Sequence, residues 1–345
     1  MRLLILTANV DCLGENDVPI GNAFRRHGWE VVFGEVTGIG WDNYRYFIRG
    51  VLSHVDGEPH HLGSAAQGVR GTYFFDECQL VWNNSLGGPP SIARDVWQIL
   101  WVVSQHTSFV NSVEGTLFLE TKHALGHFVP KENRCVAYAS NDFSLLLERY
   151  RQNPDMCWVA KPPNGYCGQN VFLLPPDGPN VRTILQCLTG NANAQSLFGG
   201  LAERDSLVTQ TPTVYGLGGF KAEYAILQHF IPEVKQGEKR VVVACGQAIA
   251  WHGRAAASDD HRSNIAQGAK PTAVDLDSAE IALAELIGRR LMEHRVNFVG
   301  IDMAYPYIVE INLTNPGGLY DAKLATGIDR SDQVAQLIIS RFQNP

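Results

Sequence analysis

Residues 297–319, NFVGIDMAYPYIVEINLTNPGGL, constrain the fold more than any other stretch of this 345-residue chain. Ala304-Tyr305-Pro306 interrupts two apolar runs and reads as the turn of a β-hairpin. Side chains alternate faces along a strand, so Glu310 and Asn312, two residues apart, point the same way. The turn then folds Asp302 back beside Glu310. Three oxygen-bearing side chains share one face, and an all-oxygen set suits Mg2+ bridging substrate phosphates. A half-buried hairpin with polar residues on its wet face would carry the same pattern, so the remaining chain has to decide between the two.

A chain of this length is expected to hold more than one structural unit, given roughly 100–200 residues per domain. With 45% hydrophobic and 18% charged residues, it has the composition of a globular enzyme with a sizeable core. The net charge of -7 argues against nucleic acid as the main partner. No apolar run is long enough to span a membrane. Met1-Arg2-Leu3-Leu4-Ile5-Leu6 has the look of a signal peptide, but the apolar run ends by Asp11 without a small-residue cleavage site, so it reads as a first strand. Seven scattered cysteines without a CxxC pair fit a reducing cytosol, and neither a disulfide framework nor a zinc site. His60-His61 matches no zinc-site spacing, and His123 and His127 lack an evident third ligand; both pairs are read as structural.

Leu3-Leu4-Ile5 reads as a buried strand, 16–27 as a helix stopped by Gly28, and Glu30-Val31-Val32-Phe33 as the next strand, the opening of an α/β domain. Residues 36–75 are rich in glycine, histidine and aromatics and show no clear periodicity. Leu80-Val81-Trp82 is a further strand and 92–105 a helix, and a composition shift around 106–125 marks a domain boundary. Trp158-Val159-Ala160-Lys161 is a strand, and extended structure resumes at 171–174. Residues 190–220 read as an insertion and 223–231 as a strand, while 239–245 and 248–252 pair across a Gly246-Gln247 turn. Asp277-Ser278-Ala279-Glu280 opens a helix running to about residue 295, with Ala284, Ile287 and Leu291 on one stripe.

Neither GxxxxGK[ST] nor a helix-opening GxGxxG is present, which removes two common phosphate signatures. Instead, Lys161 precedes the loop Pro162-Pro163-Asn164-Gly165-Tyr166-Cys167-Gly168, which leads into another strand. A strand-loop-strand flap of this kind lays backbone N–H groups over phosphates, with the lysine as counter-charge. Arg240 near the head of a strand, Arg254 at the end of the next, and Arg262-Ser263-Asn264 in a polar loop add the forks that phosphate and carboxylate oxygens need. Cations followed by an acidic hairpin are the composition of a site that neutralises a transferring phosphoryl group. Arginines that merely balance an acidic surface are the competing reading.

Taken together, GEKRVVVACGQAIAWHGRAA (237–256), HRSNIAQG (261–268), NFVGIDMAYPYIVEINLTNPGG (297–318) and the weaker VAKPPNGYCGQNVF (159–172) resemble the ATP-grasp superfamily, and within it bacterial glutathione synthetases. The resemblance covers roughly residues 110–340. It implies an α/β and α+β chain: an α/β pre-ATP-grasp domain (1–115), one ATP-grasp lobe with the phosphate flap (116–230), and a second lobe with the metal-binding strands (231–345). It further implies that Lys122 and Lys161 contact ATP phosphates beneath the Gly165 and Gly168 flap, and that Gln228, His229, Phe230 and Ile231 form the adenine hinge. Arg240 and Arg254 would bind the transferring phosphate or acyl group, with Arg262 and Asn264 on a loop beside acceptor and metal. Asp302, Glu310 and Asn312 would hold two Mg2+ ions, which Mn2+ could replace.

The chemistry implied is activation of a carboxylate by ATP, followed by attack of an amine on the acyl phosphate. Both substrates would be small molecules, in a cytoplasmic homodimer or homotetramer. No nucleophilic side chain is required, so Cys167 in the flap is not assigned one. Three departures bear on the substrate. Asn83-Asn84-Ser85-Leu86-Gly87-Gly88 stands where the family usually has an arginine-lysine pair, with Arg94 the nearest cation; the segment 190–222 is long and polar; and Thr314-Asn315-Pro316-Gly317-Gly318 replaces the usual Thr-Ser-Pro-Thr. A different amide or peptide ligation, such as a natural-product step, therefore stands beside glutathione synthesis, and a non-catalytic ATP-binding protein of the same fold is a third alternative.

Overall fold

The computed structural model describes residues 1–53, 65–85, 94–165, 168, 170–190, 223–255 and 270–343. The chain divides into two compact units, one of Met1–Arg134, Glu233–Ala256 and Gly268–Pro345, the other of Cys135–Pro232 and Ala257–Gln267.

The first unit opens with β1 (Arg2–Thr7), α1 (Asp17–Arg26), β2 (Glu30–Asp42), β3 (Arg45–Ser53), β4 (Gly68–Phe74), β5 (Leu80–Ser85), α2 (Arg94–Ser104), β6 (Ser108–Phe109), α3 (Val113–Leu119) and the short α4 (Leu125–Phe128). The strands form one sheet in the order β4-β3-β2-β1-β5-β6. β1 runs parallel to β2 and β5, whereas β2, β3 and β4 form an antiparallel meander. The continuous apolar run of β1 follows from burial on both faces: Leu3 and Ile5 enter one core, Leu4 and Leu6 another.

Sequence periodicity gives no element over 36–75, yet β2 continues to Asp42 and β3 and β4 follow it. Glycine is the reason. A Cβ on Gly40 would come within 2.8 Å of the Phe47 ring, and one on Gly34 within 2.6 Å of Ile48. These glycines admit large cross-strand neighbours, so a segment with a loop-like composition is built as sheet.

Because β2 lies on one side of β1 and β5 on the other, the carboxyl end of β1 is a topological switch point, where open α/β sheets bind ligands. Buried Asp17 holds the loops there, accepting from Thr7 Oγ1 (3.1 Å), Gly14 N (2.8 Å) and Asn84 Nδ2 (2.8 Å).

The second unit contains β7 (Ala137–Ser140), α5 (Phe143–Arg151), β8 (Trp158–Lys161), β9 (Phe172–Leu174), α6 (Val181–Leu188) and β10 (Ala225–His229). Its sheet has the order β7-β10-β8-β9. Leu146, Leu147 and Tyr150 of α5 and Val181, Leu185 and Leu188 of α6 pack on Trp158, Ala160 and Leu227 of that sheet.

The chain then returns to the first unit as β11 (Glu238–Ala244), β12 (Gln247–Ala255), β13 (Lys270–Thr272), α7 (Ser278–Met292), β14 (Phe298–Ala304), β15 (Tyr307–Asn312), α8 (Leu319–Thr326) and α9 (Ser331–Gln343). The sheet order is β13-β12-β11-β14-β15. The β11–β12 turn is centred on Cys245 (φ 47°) and Gly246 (φ 75°), one residue earlier than expected. Two consecutive positive φ values match the right-handed twist of a hairpin. Asn111 joins the two sheets of this unit: its amide donates to Phe298 O (2.8 Å) and Leu313 O (3.2 Å), and its Oδ1 accepts from Asn297 N and Phe298 N (both 2.9 Å).

The capping box expected at Asp277 forms in full. Its carboxylate accepts from Ala279 N and Glu280 N, and Glu280 accepts from Asp277 N. The stripe Ala284, Ile287 and Leu291 is buried against β11 and β14. The expected effect of Asp277→Ala is a loss of about 1 kcal/mol in urea unfolding, with no change in nucleotide affinity.

Candidate functional site

The expected hairpin forms, with Tyr305 and Pro306 in its turn and Asp302 directly opposite Glu310. Strand register extends this pair across the sheet. His252 on β12 faces Arg240 on β11, Arg240 faces Asp302 on β14, and Asp302 faces Glu310 on β15. Directly opposed residues share a face, so four neighbouring strands carry a row His252–Arg240–Asp302–Glu310. Two residues along the same face, Arg254 opposes Glu238. Asn312 opposes Gly300, whose missing side chain leaves room for the Arg240 guanidinium: a Cβ there would lie 2.8 Å from Nη1.

The ion pairs follow the register. Arg240 closes a fork on Asp302, Nε to Oδ1 at 2.5 Å and Nη2 to Oδ2 at 2.8 Å. Arg254 Nη1 lies 3.1 Å from Asp302 Oδ1 and 3.4 Å from Glu238 Oε1. Asn312 Nδ2 donates to Asp302 Oδ2 (3.3 Å), and Lys122 Nζ meets Glu310 Oε1 at 2.8 Å. Burial by itself would raise the Asp302 carboxyl, but Arg240 and Arg254 hold it at about 2. The same pairing raises Arg240 against the lowering effect of burial. Asp302 is therefore fully ionised at neutral pH, as a metal ligand must be.

Sequence reading passed over four further acidic groups and one imidazole. Glu238 and His252 each lie two residues before an arginine of the site, so period-2 alternation could have found them. Glu120 follows α3 and accepts from Leu313 N (2.5 Å) and Thr314 N (2.9 Å), which anchors the end of β15. Glu15 leaves the switch point of the first sheet and accepts from Gly318 N (2.6 Å), and Asp321 sits in the first turn of α8. No local pattern marks Glu15, Glu120 or Asp321.

Burial raises the Glu120 carboxyl to about 7, against the two backbone N–H groups that lower it. Protonated Glu120 favours the fold below the ordinary carboxylate value of about 4.5, and that contribution is lost as pH rises through about 7. Glu120→Gln is expected to remove this fall in stability, as read from denaturation midpoints at pH 4.5 and 7.5.

In the second unit, Lys161 ends β8 opposite Ile226, and Gly168 has φ 69°. Gln228 and His229 close β10, with Phe230 and Ile231 just beyond it. The backbone N–H groups of His229 and Phe230 donate to Val136 O (2.8 Å) and Cys157 O (2.9 Å). Gly165 lies in the loop after β8. Arg262, Asn264, Cys167 and His60-His61 lie outside the described residues. His123 and His127 belong to separate short helices, and the His127 ring packs on Phe128 and His294.

Among the described residues, no group of three or more His, Cys, Asp or Glu side chains is placed to hold a metal. Asp302, Glu310 and Asn312 form a different set, two carboxylates and an amide on one face. Their oxygen chemistry fits a hard divalent cation. No helix among the described residues is long and apolar enough to cross a membrane.

Comparison with known proteins gives a consistent picture. Residues 215–327 match the family model described as prokaryotic glutathione synthetase, ATP-grasp domain. A glutathione synthetase of Coxiella burnetii is 25% identical over 200 residues, 58% of this chain; there the chain spans about half of the relative's length, 53%. That of Gloeobacter violaceus is 24% identical over 98% of this chain and 97% of its own. Among solved structures, the D-cycloserine synthetase DcsG superposes with a TM-score of 0.62 at 15% identity, covering 99% of this chain and 100% of that one. The chain has the ATP-grasp fold and resembles prokaryotic glutathione synthetase.

Proposed function

We propose that the protein is an ATP-dependent carboxylate–amine ligase, forming an amide or peptide bond through an acyl phosphate with release of ADP and phosphate. The observation that carries this reading is the row Arg240–Asp302–Glu310, with Arg254 and Asn312 beside it on the same face of one sheet. A non-catalytic nucleotide binder has no need of two buried arginines arranged around ionised carboxylates.

In this reading the division of labour is 1–115, 116–230 and 231–345, with nucleotide contacts from Lys122, Lys161, Gly165, Gly168 and the segment Gln228, His229, Phe230 and Ile231. Asn264 and Arg262 would join from their loop. Asp302, Glu310 and Asn312 would hold Mg2+, two ions as the family resemblance implies, and a divalent ion bound there would supply neutralisation of phosphoryl charge. Arg240 and Arg254 orient the phosphoryl group and the acyl oxygens, and neither has to form a covalent bond. The rate then comes from positioning and preorganised charge. Water must be kept from the acyl phosphate. The assembly is proposed to be a cytoplasmic homodimer or homotetramer.

One observation favours a donor other than γ-glutamylcysteine. Where the family resemblance leads one to expect an arginine-lysine pair, Asn83 donates to Thr116 Oγ1 (2.7 Å) and Asn84 to Asp17 Oδ1 (2.8 Å). Both amides serve the interior and add no charge for a peptide carboxylate. The test is ADP release with ATP and Mg2+, comparing γ-glutamylcysteine plus glycine with a panel of amino acids and dipeptides. Turnover with the first pair alone identifies glutathione synthesis, and turnover with another pair identifies a different ligase. Absence of ADP release with every pair counts against the ligase reading.

A further inference from the structure

We infer that Glu15 and Asp321 form the seat of the attacking amine, binding it as an ammonium ion and accepting its proton. The inference rests on the ligase reading and adds the groups that would handle the nucleophile, which nothing in that reading supplies.

The Arg240 fork is closed on Asp302, Arg254 lies between Asp302 and Glu238, and Lys122 is on Glu310. The cations of the sheet are thus engaged by other carboxylates. Among the described residues, no lysine or arginine nitrogen lies within ion-pair distance of Glu15 or Asp321. Burial raises both carboxyls, Glu15 to about 6 with Asp321 adding to the rise. Glu15 also accepts from Gly318 N.

Beside Asp321 lies an imidazole nitrogen without a partner. His252 is fully buried, its Nδ1 is 3.1 Å from Gly253 O, and its Nε2 makes no hydrogen bond. Nδ1–H donating to that carbonyl leaves Nε2 as a bare acceptor. Burial first, then the nearby Arg254 and Arg240, lower the imidazole to about 4 and keep it neutral. Nε2 points at Asp321 Oδ2 across 3.8 Å. Two buried acceptors therefore face each other with no donor between them, which is costly unless a donor arrives. An ammonium group, with several N–H donors and one positive charge, satisfies Asp321, Glu15 and Nε2 together.

Glu15 stands at the carboxyl end of β1, the switch point of the first sheet, and both carboxyls feel Arg240 and Arg254. An amine held here lies beside the arginines assigned to the acyl phosphate. It gives one proton to the carboxyl pair, and its freed lone pair forms the C–N bond. The bond from acyl carbon to phosphate oxygen breaks, phosphate leaves with that electron pair, and the second proton follows to phosphate.

Hydroxylamine separates the roles, because it is largely unprotonated at neutral pH and needs no base before attack. Wild type, Glu15→Gln and Asp321→Asn are assayed with ATP, Mg2+ and the donor panel, using either the amine acceptors or hydroxylamine as nucleophile. The expected result is a fall on the order of 100-fold in the ratio of amine to hydroxylamine turnover in each variant, partly restored in Glu15→Asp. A ratio that stays at the wild-type value, whether both rates fall or neither does, overturns the inference. Thermal melting identifies folded variants, and should Asp321→Asn not fold, half-buried Glu15→Gln decides alone. A wild-type protein that forms hydroxamate with unchanged ratios in the variants removes only the amine seat. One that forms no hydroxamate and releases no ADP removes the ligase reading and the inference with it.

Discussion

Glu310→Gln is expected to lower ADP release by at least about 100-fold while leaving much of the ATP affinity and most of the stability. A divalent ion at a phosphoryl-transfer site stabilises the transition state by several kcal/mol. Glu310 is one of two carboxylates able to hold it, and glutamine keeps the shape while removing the charge. The fold has less at stake than at Asp302. The Glu310 side chain is a quarter exposed and glutamine retains an oxygen for Lys122, whose own side chain is 8% exposed, so the loss stays below the about 3–5 kcal/mol of a pair buried on both sides. ADP release, calorimetric ATP titration and urea unfolding on one preparation check the three parts together. Survival of ADP release would show that the metal assignment is wrong.

Asp302→Ala is expected to cost both activity and stability. Asp302 is 3% exposed and takes the full fork of Arg240 together with Arg254. Removing it leaves two guanidinium groups in the interior with one carboxylate lost from between them. Breaking a buried pair from one side costs about 3–5 kcal/mol, much of it the desolvation of the abandoned charge. Against a total stability of about 5–15 kcal/mol, that is enough to shift the unfolding midpoint visibly. Arg240→Met/Asp302→Leu should recover part of the stability and none of the activity, because an apolar pair replaces the ions without replacing their chemistry. A single Asp302→Ala variant with an unchanged midpoint would mean that the register-defined pairing contributes little to the fold. The contrast between the two carboxylates is the informative result: they face each other across one hairpin, yet one acts on the reaction and the other on reaction and fold alike.

The hairpin itself was legible in the sequence. Alternation along a strand and a turn at Tyr305-Pro306 are local properties, so they place Asp302 beside Glu310 with no knowledge of the rest of the chain. The capping box at Asp277 and the buried stripe of α7 are local for the same reason. The β2–β4 meander was not legible, since its glycines are required by neighbours such as Phe47 and Ile48 that lie on the partner strand. Arg240 and Arg254 could be chosen as chemistry-bearing residues, but not as the partners of Asp302.

That partnership depends on strand order. Arg240 and Asp302 are 62 residues apart and meet because β11 lies between β12 and β14. Glu15 and Asp321 are further apart still in the chain, and the β1–α1 loop meets the start of α8 only in the folded first unit. By itself the sequence determined which residues are able to hold metal, phosphate and carboxylate, because side-chain chemistry and short-range periodicity are written residue by residue. The tertiary structure alone decided which charges neutralise one another and which acceptors are left facing each other without a donor, because those depend on burial and on pairings between strands distant in the chain.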